Sequence, residues 1–321
     1  MLINNLAIGA SFFLVVLFLF AGLLIFRKIC VRKHERPNTF EDLFSKHRIL
    51  LAGEQRLRED YEWFDNNRTR EVCTVSYDGL RLFATVMEAP KDQVPKGVVM
   101  LFHGYRSNAR RDFCMQMKIL HDNGYHLLVV DQRAHSRSGG KYICYGIKER
   151  YDVVSWRKKV AELFGKEMPV AIMGLSMGGA TVLMSSELFD EEDEAVRCII
   201  ADCPFSSAQE AISHVIKDYN KVPLASLLLK AAGFWSRTLA GFTLSAPSAS
   251  EIFSRSHLPA LIFHGEDDDY VPIQQSKDVQ SLSKDRTTLV CIPGAKHADS
   301  IYCDEERYVT ALLSFLDDHM E

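Results

Sequence analysis

The chain has 321 residues, of which 47% are hydrophobic and 25% are charged, a balance typical of a globular protein with a well-buried core. The formal net charge of −4 gives no reason to expect a nucleic acid partner. The eight cysteines form no C-x-x-C pair and therefore predict no zinc site. Buried free thiols favour a reducing compartment, although an even number of cysteines also permits disulfides.

The first element is an uncharged apolar run over residues 6–26. At 1.5 Å per residue, a helix of this length spans about 30 Å, the thickness of the hydrocarbon core of a bilayer. The alternative is a cleaved signal peptide, which would have a basic start, a shorter apolar core and a small-residue cleavage site. Here Arg27 and Lys28 follow the run directly, so we predict an uncleaved membrane anchor with a basic flank over residues 1–35.

Charge predicts the orientation of this anchor. Near the apolar run, basic residues occur only on the C-terminal side, at Arg27, Lys28, Arg32, Lys33 and Arg36. The positive-inside rule places that side in the cytoplasm. We therefore expect a single-pass protein of the cell membrane whose large domain is cytoplasmic.

Residues 36–70 are charged and partly amphipathic, and they lack the glycine, serine and proline of a free linker. We predict a helical connector here that packs on the following domain. That domain is predicted over residues 71–321. It begins with an antiparallel hairpin, whose strands at 72–76 and 80–88 flank turn residues 77–79.

From residue 97 onwards, strand and helix patterns alternate, which predicts an α/β fold with a mostly parallel central sheet and flanking helices. The predicted strands cover residues 98–102, 127–130, 170–173, 198–201, 260–263 and 288–292. The predicted helices cover residues 112–123, 151–164, 177–188, 274–283 and 301–319. The interval 204–258 is too long for one crossover helix and has an apolar centre at 222–235, so we predict a small helical lid there.

A sharp turn from strand to helix is predicted at residues 174–178, which have the pattern G-x-S-x-G. In such a turn the hydroxyl of Ser176 is lifted clear of the sheet, with the N-terminus of the helix beneath it. Side chains at Gly174 and Gly178 would collide with the neighbouring strand and helix. The pattern therefore indicates that Ser176 is a nucleophile.

A serine nucleophile needs a histidine base, an acid that orients the base, and donors for the oxyanion. His297 follows the last predicted strand and is the best placed of the 11 histidines. For the acid, the spacing H-G-x-x-D-x-x-V-P selects Asp268, and we interpret Asp267 and Asp269 as turn residues. Asp202, which follows an earlier strand, is the alternative acid.

The oxyanion donors are expected to be two backbone N–H groups. One belongs to Met177, and the other to Tyr105, which follows the first parallel strand. We interpret His103 as a structural histidine that fixes the Tyr105 loop, rather than as a second base.

Through these residues the chain resembles the α/β-hydrolase superfamily over residues 72–319, and most closely its membrane-anchored, serine-aminopeptidase-like and monoacylglycerol-lipase-like branch. The matching blocks are residues 103–104, 131–138, 174–179 and 264–272, together with His297. The order Ser176, Asp268, His297 is that of the superfamily. Block 131–138 departs from the usual D-x-R-G-H-G-x-S by carrying Ala134 and Ser136 for glycines, a change that bears on the geometry of a structural turn.

The resemblance implies a serine hydrolase of carboxylic esters that needs no metal or organic cofactor. The apolar lid and the anchor favour an apolar acyl or lipid-like ester, met at the membrane surface. A serine aminopeptidase is the alternative, and it would need lid carboxylates, for which Glu210, Asp218 and Glu251 are candidates, to hold the substrate amine. A non-catalytic, membrane-tethered binding protein on the same fold is a third interpretation. The sequence leaves acyl length, leaving group and oligomeric state open.

Overall fold

The computed structural model describes residues 2–33, 40, 46–189, 193–246 and 248–321 of the chain. Residues 36–39 and 41–45 of the predicted connector, which include Arg36 of the basic flank, lie outside the described residues. The strands are β1 (Arg70–Val75), β2 (Arg81–Met87), β3 (Gly97–Phe102), β4 (Tyr125–Asp131), β5 (Val170–Leu175), β6 (Val196–Asp202), β7 (Ala260–Gly265) and β8 (Thr287–Ile292).

The helices surround this set of strands and precede it. They are α1 (Leu2–Cys30), α2 (Lys46–Ala52), α3 (Glu54–Asn67), α4 (Ala109–Asp112), α5 (Cys114–Asp122), α6 (Glu149–Phe164), α7 (Met177–Ser185), α8 (Ala208–His214), α9 (Ala225–Trp235), α10 (Ala249–Phe253), α11 (Gln274–Ser281), α12 (Ser300–Cys303) and α13 (Glu305–His319). A 3-10 turn follows α7 at Ser186–Leu188, and π-helical turns follow α8 and α9 at Val215–Tyr219 and Ser236–Ala240.

The described strands form one sheet in the order β1-β2-β4-β3-β5-β6-β7-β8. The β1–β2 and β2–β4 pairs are antiparallel, and every pair from β4 to β8 is parallel. The predicted hairpin and mostly parallel sheet are therefore confirmed, with strand ends within two residues of those expected. Because parallel strands end at the same edge, the segments that follow β3, β5, β7 and β8 meet there.

The two faces of the sheet carry separate cores. Along β3, Val98, Met100 and Phe102 pack into one core and Val99 and Leu101 into the other, and all five are buried. Burial on both faces explains why the parallel strands are continuous apolar runs in the sequence. Helix α3, within the range of the predicted connector, packs into the second core.

Two predicted helices are interrupted. The helix expected at 112–123 is divided at Phe113, whose backbone leaves the helical conformation with φ −117° and ψ 24°. The helix expected at 301–319 is divided at Asp304, which is not helical (φ −146°, ψ 79°) and accepts a hydrogen bond from the backbone N–H of Arg307. Such a cap satisfies a donor that the first turn of α13 leaves unpaired, so the chain begins a new helix.

The interval between β6 and β7 contains α8, α9 and α10, as the prediction of a helical lid requires. Helix α9 begins after Leu224, which has the left-handed backbone angles φ 54° and ψ 26°. Helix α10 begins with a capping box, in which Ser248 and Glu251 bond each other's backbone N–H groups.

Helix α1 contains the one stretch, Ser11–Cys30, that is long and apolar enough to cross a membrane among the residues described. Its last turns nevertheless belong to the core of the domain, because Phe26 and Cys30 are completely buried. The backbone N–H of Ile143 donates to the Cys30 carbonyl at 2.7 Å, and the Arg106 guanidinium donates to the Lys28 carbonyl at 2.6 Å. The end of this helix is thus fixed to the sheet edge that carries the site.

Candidate active site

Ser176 occupies the turn between β5 and α7. Its backbone angles, φ 54° and ψ −112°, are strained for an L-residue and cost on the order of 1–3 kcal/mol. A Cβ atom at Gly174 would lie 2.2 Å from the Gly178 carbonyl oxygen, and one at Gly178 would lie 1.8 Å from that of Phe102. Glycine is therefore required at both positions by close backbone contact, and the turn has the expected form.

The structure brings Ser176, His297 and Asp268 together in a chain of hydrogen bonds. The Ser176 Oγ and His297 Nε2 atoms are 2.9 Å apart, and His297 Nδ1 is 2.7 Å from Asp268 Oδ2. A carboxylate accepts only, so Nδ1 carries the imidazole proton and Nε2 is free to accept from the serine hydroxyl. This arrangement can deprotonate the serine as it attacks.

Four donors converge on Asp268. Its Oδ1 atom accepts the backbone N–H groups of Tyr270 (3.0 Å) and Val271 (2.8 Å), and Oδ2 faces His264 at 3.3 Å as well as His297. Burial alone would raise the pKa of Asp268, but hydrogen bonds from the two histidines outweigh it and hold this pKa well below its usual value. The Asp268 carboxyl group is therefore ionised in the folded protein at neutral pH.

The alternative acid, Asp202, has other partners. Its carboxylate accepts from the Ser300 hydroxyl at 3.1 Å and from Tyr308. Complete burial raises its pKa to about 6, and the neutral hydroxyl donors only partly offset this. Asp202 thus lies beneath the site without touching His297, while Asp267 and Asp269 are exposed.

An arginine that the sequence analysis did not single out holds the histidine loop. The Arg48 guanidinium, in α2, donates to the carbonyls of His297 (3.3 Å) and Ala298 (3.0 Å) and pairs with Asp299 at 2.6 Å. Arg48 is buried, although its sequence neighbourhood is charged and amphipathic. No local pattern could distinguish it from a solvated arginine.

The loop after β3 is fixed by hydrogen bonds of its side chains to other segments. His103 Nδ1 lies 2.8 Å from the Gly104 carbonyl, and its Nε2 accepts the backbone N–H of Gln132 at 3.2 Å. His103 therefore has the structural role expected of it. Tyr105 donates its hydroxyl to the Ile29 carbonyl at 2.7 Å, and both Tyr105 and Met177 line the same cavity as Ser176.

The turn that carries Ala134 and Ser136 keeps a left-handed backbone at both residues, with φ 60° and 42°. A glycine would adopt these angles without strain, whereas other residues pay about 1 kcal/mol each. The neighbouring Arg133 is buried between Asp152 (2.6 Å) and Asp78 (2.9 Å). These ion pairs hold the turn in place despite the substitution.

A cavity of about 440 Å³ opens above Ser176. Its walls are mainly apolar. The segment after β6 contributes Phe205, Ile212, Val215, Ile216 and Val222, and α1 contributes Ile25 and Ile29. The charged side chains among the described lining residues are Lys28 and Arg106, and no aspartate or glutamate is among them.

Cys203, Asp268 and His297 have potential ligand atoms within 4.8 Å of one another. The chemistry does not suit a metal ion, because burial raises the pKa of the Cys203 thiol well above its usual value and keeps it protonated. Asp268 and His297 are also bonded to each other. The group is better explained as an acid–base pair above a buried thiol.

Comparison with known proteins gives a consistent set of similarities. A family model described as serine aminopeptidase, S33, matches residues 93–230, which include Tyr105, Ser176 and Met177 but neither Asp268 nor His297. The uncharacterized protein YqkD of Bacillus subtilis is 28% identical over 234 residues, covering 71% of this chain and 73% of YqkD. A monoacylglycerol lipase of Mycolicibacterium smegmatis is 24% identical over 254 residues, covering 68% and 86% of the two chains. The esterase Pf2001 of Pyrococcus furiosus superposes with a TM-score of 0.64 and 22% identity, over 80% of this chain and 94% of that one.

The buried Asp202 makes a testable contribution to stability. Its pKa is about 6 in the folded protein, against about 3.9 in an unfolded chain, so its protonated form stabilises the fold below pH 4. That contribution is lost as the pH rises through 6. Asp202→Asn cannot ionise, so its stability relative to the wild type should increase between pH 4 and 7, by up to about 3 kcal/mol. Thermal unfolding of the full chain in detergent micelles measures this difference.

The exposed neighbour Asp267→Asn is the control and should show no such trend. A constant difference between Asp202→Asn and the wild type across this pH range would mean that the folded-state pKa of Asp202 is not raised.

Proposed function

We propose that this chain, a member of the α/β-hydrolase superfamily with the α/β-hydrolase fold, is a serine hydrolase that cleaves carboxylic esters with apolar acyl groups. The observation that carries the proposal is the continuous chain of hydrogen bonds from Asp268 through His297 to Ser176, at the foot of a mainly apolar cavity. Esterases and a lipase among the similar proteins support the same reaction class.

In the proposed reaction, Ser176 Oγ attacks the acyl carbon while His297 Nε2 takes its proton, and ionised Asp268 stabilises the imidazolium. The backbone N–H groups of Met177 and Tyr105 stabilise the oxyanion, and the N-terminus of α7 adds a favourable dipole. The imidazolium then donates its proton to the leaving alcohol, leaving an acyl-enzyme on Ser176. Water, deprotonated by His297, attacks the acyl carbon and releases the carboxylic acid and the free serine.

The charges of the cavity favour this reaction over an aminopeptidase. A substrate with a free amine would face Lys28 and Arg106, with no carboxylate among the described lining residues. The three candidate carboxylates point elsewhere: Glu210 and Asp218 are exposed, and Glu251 caps α10. An unpaired ammonium group beside two cations is unfavourable, since like charges repel at short range.

We further propose that α1 is retained as a membrane anchor. Cleavage after the apolar run would remove Phe26 and Cys30 from the core and Ile25 and Ile29 from the cavity wall. The basic flank then places the domain in the cytoplasm, where the cysteines, free in every case, would stay reduced. The catalytic unit thus comprises residues 71–321, the connector at 36–70 and the end of the anchor, which lies within the predicted range 1–35.

Protease treatment of intact and permeabilised cells tests this topology. The C-terminal domain should be digested only after permeabilisation, and the mature protein should keep its first 30 residues in N-terminal sequencing. Digestion in intact cells would contradict the orientation, and a mature N-terminus near residue 30 would contradict the anchor.

The proposed roles of Ser176, Asp268 and His297 are tested with one substitution of the nucleophile and substitutions of two aspartates. Ser176→Ala should lower kcat by about 10⁴-fold or more and abolish labelling by a fluorophosphonate probe. Asp268→Asn should cost several orders of magnitude, because it favours the wrong histidine tautomer, whereas Asp202→Asn should change kcat by less than about tenfold. Near-normal turnover by Ser176→Ala would contradict the proposal, and absence of labelling in the wild type would favour a non-catalytic binding protein.

The acyl preference is tested with p-nitrophenyl esters from acetate to decanoate. Each buried methylene contributes about 0.8 kcal/mol, so kcat/KM should rise severalfold per added carbon until the cavity is filled. Aminoacyl p-nitroanilides serve as the comparison substrates. A steady decline from acetate onwards, or faster cleavage of the anilides than of any ester, would contradict the preference for apolar esters.

A further inference from the structure

Helix α9 lies along the membrane-spanning part of α1. A Cβ atom at Gly22 would lie 2.4 Å from the Cβ atom of Ala231, so only the Ala231 methyl group separates the two helices at this point. One turn further on, the Trp235 indole N–H donates to the Leu19 carbonyl at 2.8 Å. Small residues at the contact allow such close helix pairing inside a bilayer.

Because successive residues of a helix are rotated by about 100° around its axis, the side chains of α9 can be sorted into three directions. Ala225 and Ala232 are buried towards the domain, whereas Ala231 and Trp235 face α1. The third direction, next to the α1 contact, carries two large apolar side chains that are half exposed. These are Leu227, at 48%, and Phe234, at 50%.

Polar residues follow on the side away from α1. Ser226 and Lys230 are exposed there, and Arg237 is exposed in the turn after α9. All three line a cleft between α9 and residues 209–213 and 243–245 of the domain. Leu227 and Phe234 therefore lie between this polar cleft and α1.

The position of the contact along α1 sets the depth of α9 in a bilayer. Leu19 and Gly22 precede Arg27, the first basic residue after the apolar run, by eight and five residues. At 1.5 Å per residue, α9 meets α1 about 8–12 Å inside the level of Arg27, with Trp235 at the deeper end. This depth lies within one leaflet, because half of a hydrocarbon core is about 15 Å thick.

We propose that α9 is seated in the cytoplasmic leaflet beside α1, with Phe234 among the acyl chains and Leu227 near the headgroup boundary, and that the cavity above Ser176 receives its substrate from the bilayer. Ile25 and Ile29 of α1 and Val222, just before α9, line that cavity, so its wall is continuous with both helices. The occupant of the exposed apolar face is lipid. The passage of substrate rests on the proposed ester hydrolysis, whereas the position of α9 does not.

The position of α9 is tested by fluorescence in proteoliposomes of phosphatidylcholine and phosphatidylglycerol. The full chain, with Cys73, Cys291 and Cys303 replaced by serine, carries an NBD label at Phe234→Cys, next to Trp235 at the deep end of the contact. The label should emit at shorter wavelength and be quenched by lipids brominated in the acyl chain. The matched control is Val94→Cys, an 89% exposed apolar position before β3, at the opposite edge of the sheet, which should show neither effect.

Equal quenching at positions 234 and 94 would overturn the proposal. Protection of the Phe234→Cys label without quenching by brominated lipid, growing with the protein-to-lipid ratio, would also overturn it, because a second copy of the chain would then cover α9.

Entry of substrate from the bilayer is tested by substituting two glycines of α1. Gly22→Leu should push α9 away and lower kcat/KM severalfold more for a long-chain ester in liposomes than for soluble p-nitrophenyl acetate. Gly9→Leu adds the same side chain where no atom lies within 4 Å, and it should keep the wild-type ratio. A wild-type ratio in Gly22→Leu would overturn entry from the bilayer. Failure of the wild type to cleave either ester would instead contradict the proposed function and leave the fluorescence result standing.

Discussion

The site depends on a contact between backbones that leaves no room for a side chain. Gly178, in the first turn of α7, lies against the carbonyl of Phe102 at the end of β3, and Gly174 lies against Gly178. This approach bends the chain sharply enough to hold Ser176 at φ 54° above the sheet. It also sets the start of α7 next to the loop that contains Tyr105. The nucleophile and its neighbours are therefore positioned by strands of the sheet, which hold a site more precisely than loops do.

Two buried aspartates near Ser176 differ in pKa because their surroundings differ. Asp202 ends β6 and Asp268 follows β7, and both are buried. Asp268 receives two backbone N–H groups and faces two histidines, so its charged form is favoured, whereas Asp202 receives only neutral hydroxyl donors. The number and charge of the donors, rather than burial, distinguish an ionised orienting acid from a carboxyl group that titrates near pH 6.

The sheet and the arrangement of Ser176, Asp268 and His297 were predictable because their signals are local. Apolar runs, the glycine spacing around Ser176 and the spacing after His264 can each be recognised within ten residues. The division of α12 from α13 was missed because the cap at Asp304 competes with an otherwise continuous helical pattern. The role of Arg48 and the burial of Phe26 were out of reach for a different reason. Their partners are Ala298, 250 residues away, and a core assembled from the whole chain.

The bonds between the end of α1 and the domain have a consequence for motion. A domain on a flexible tether would tumble above the membrane and present its site in all directions. Here Lys28, Cys30 and Val31 offer their backbone carbonyls to Arg106 and Ile143, and Val31 pairs with Tyr142 as a short β-bridge. The domain and the end of the helix are therefore joined as one body. With α1 in the bilayer, as proposed, the mouth of the site would keep a constant height and orientation, and its encounters with substrate would be confined to the plane of the leaflet.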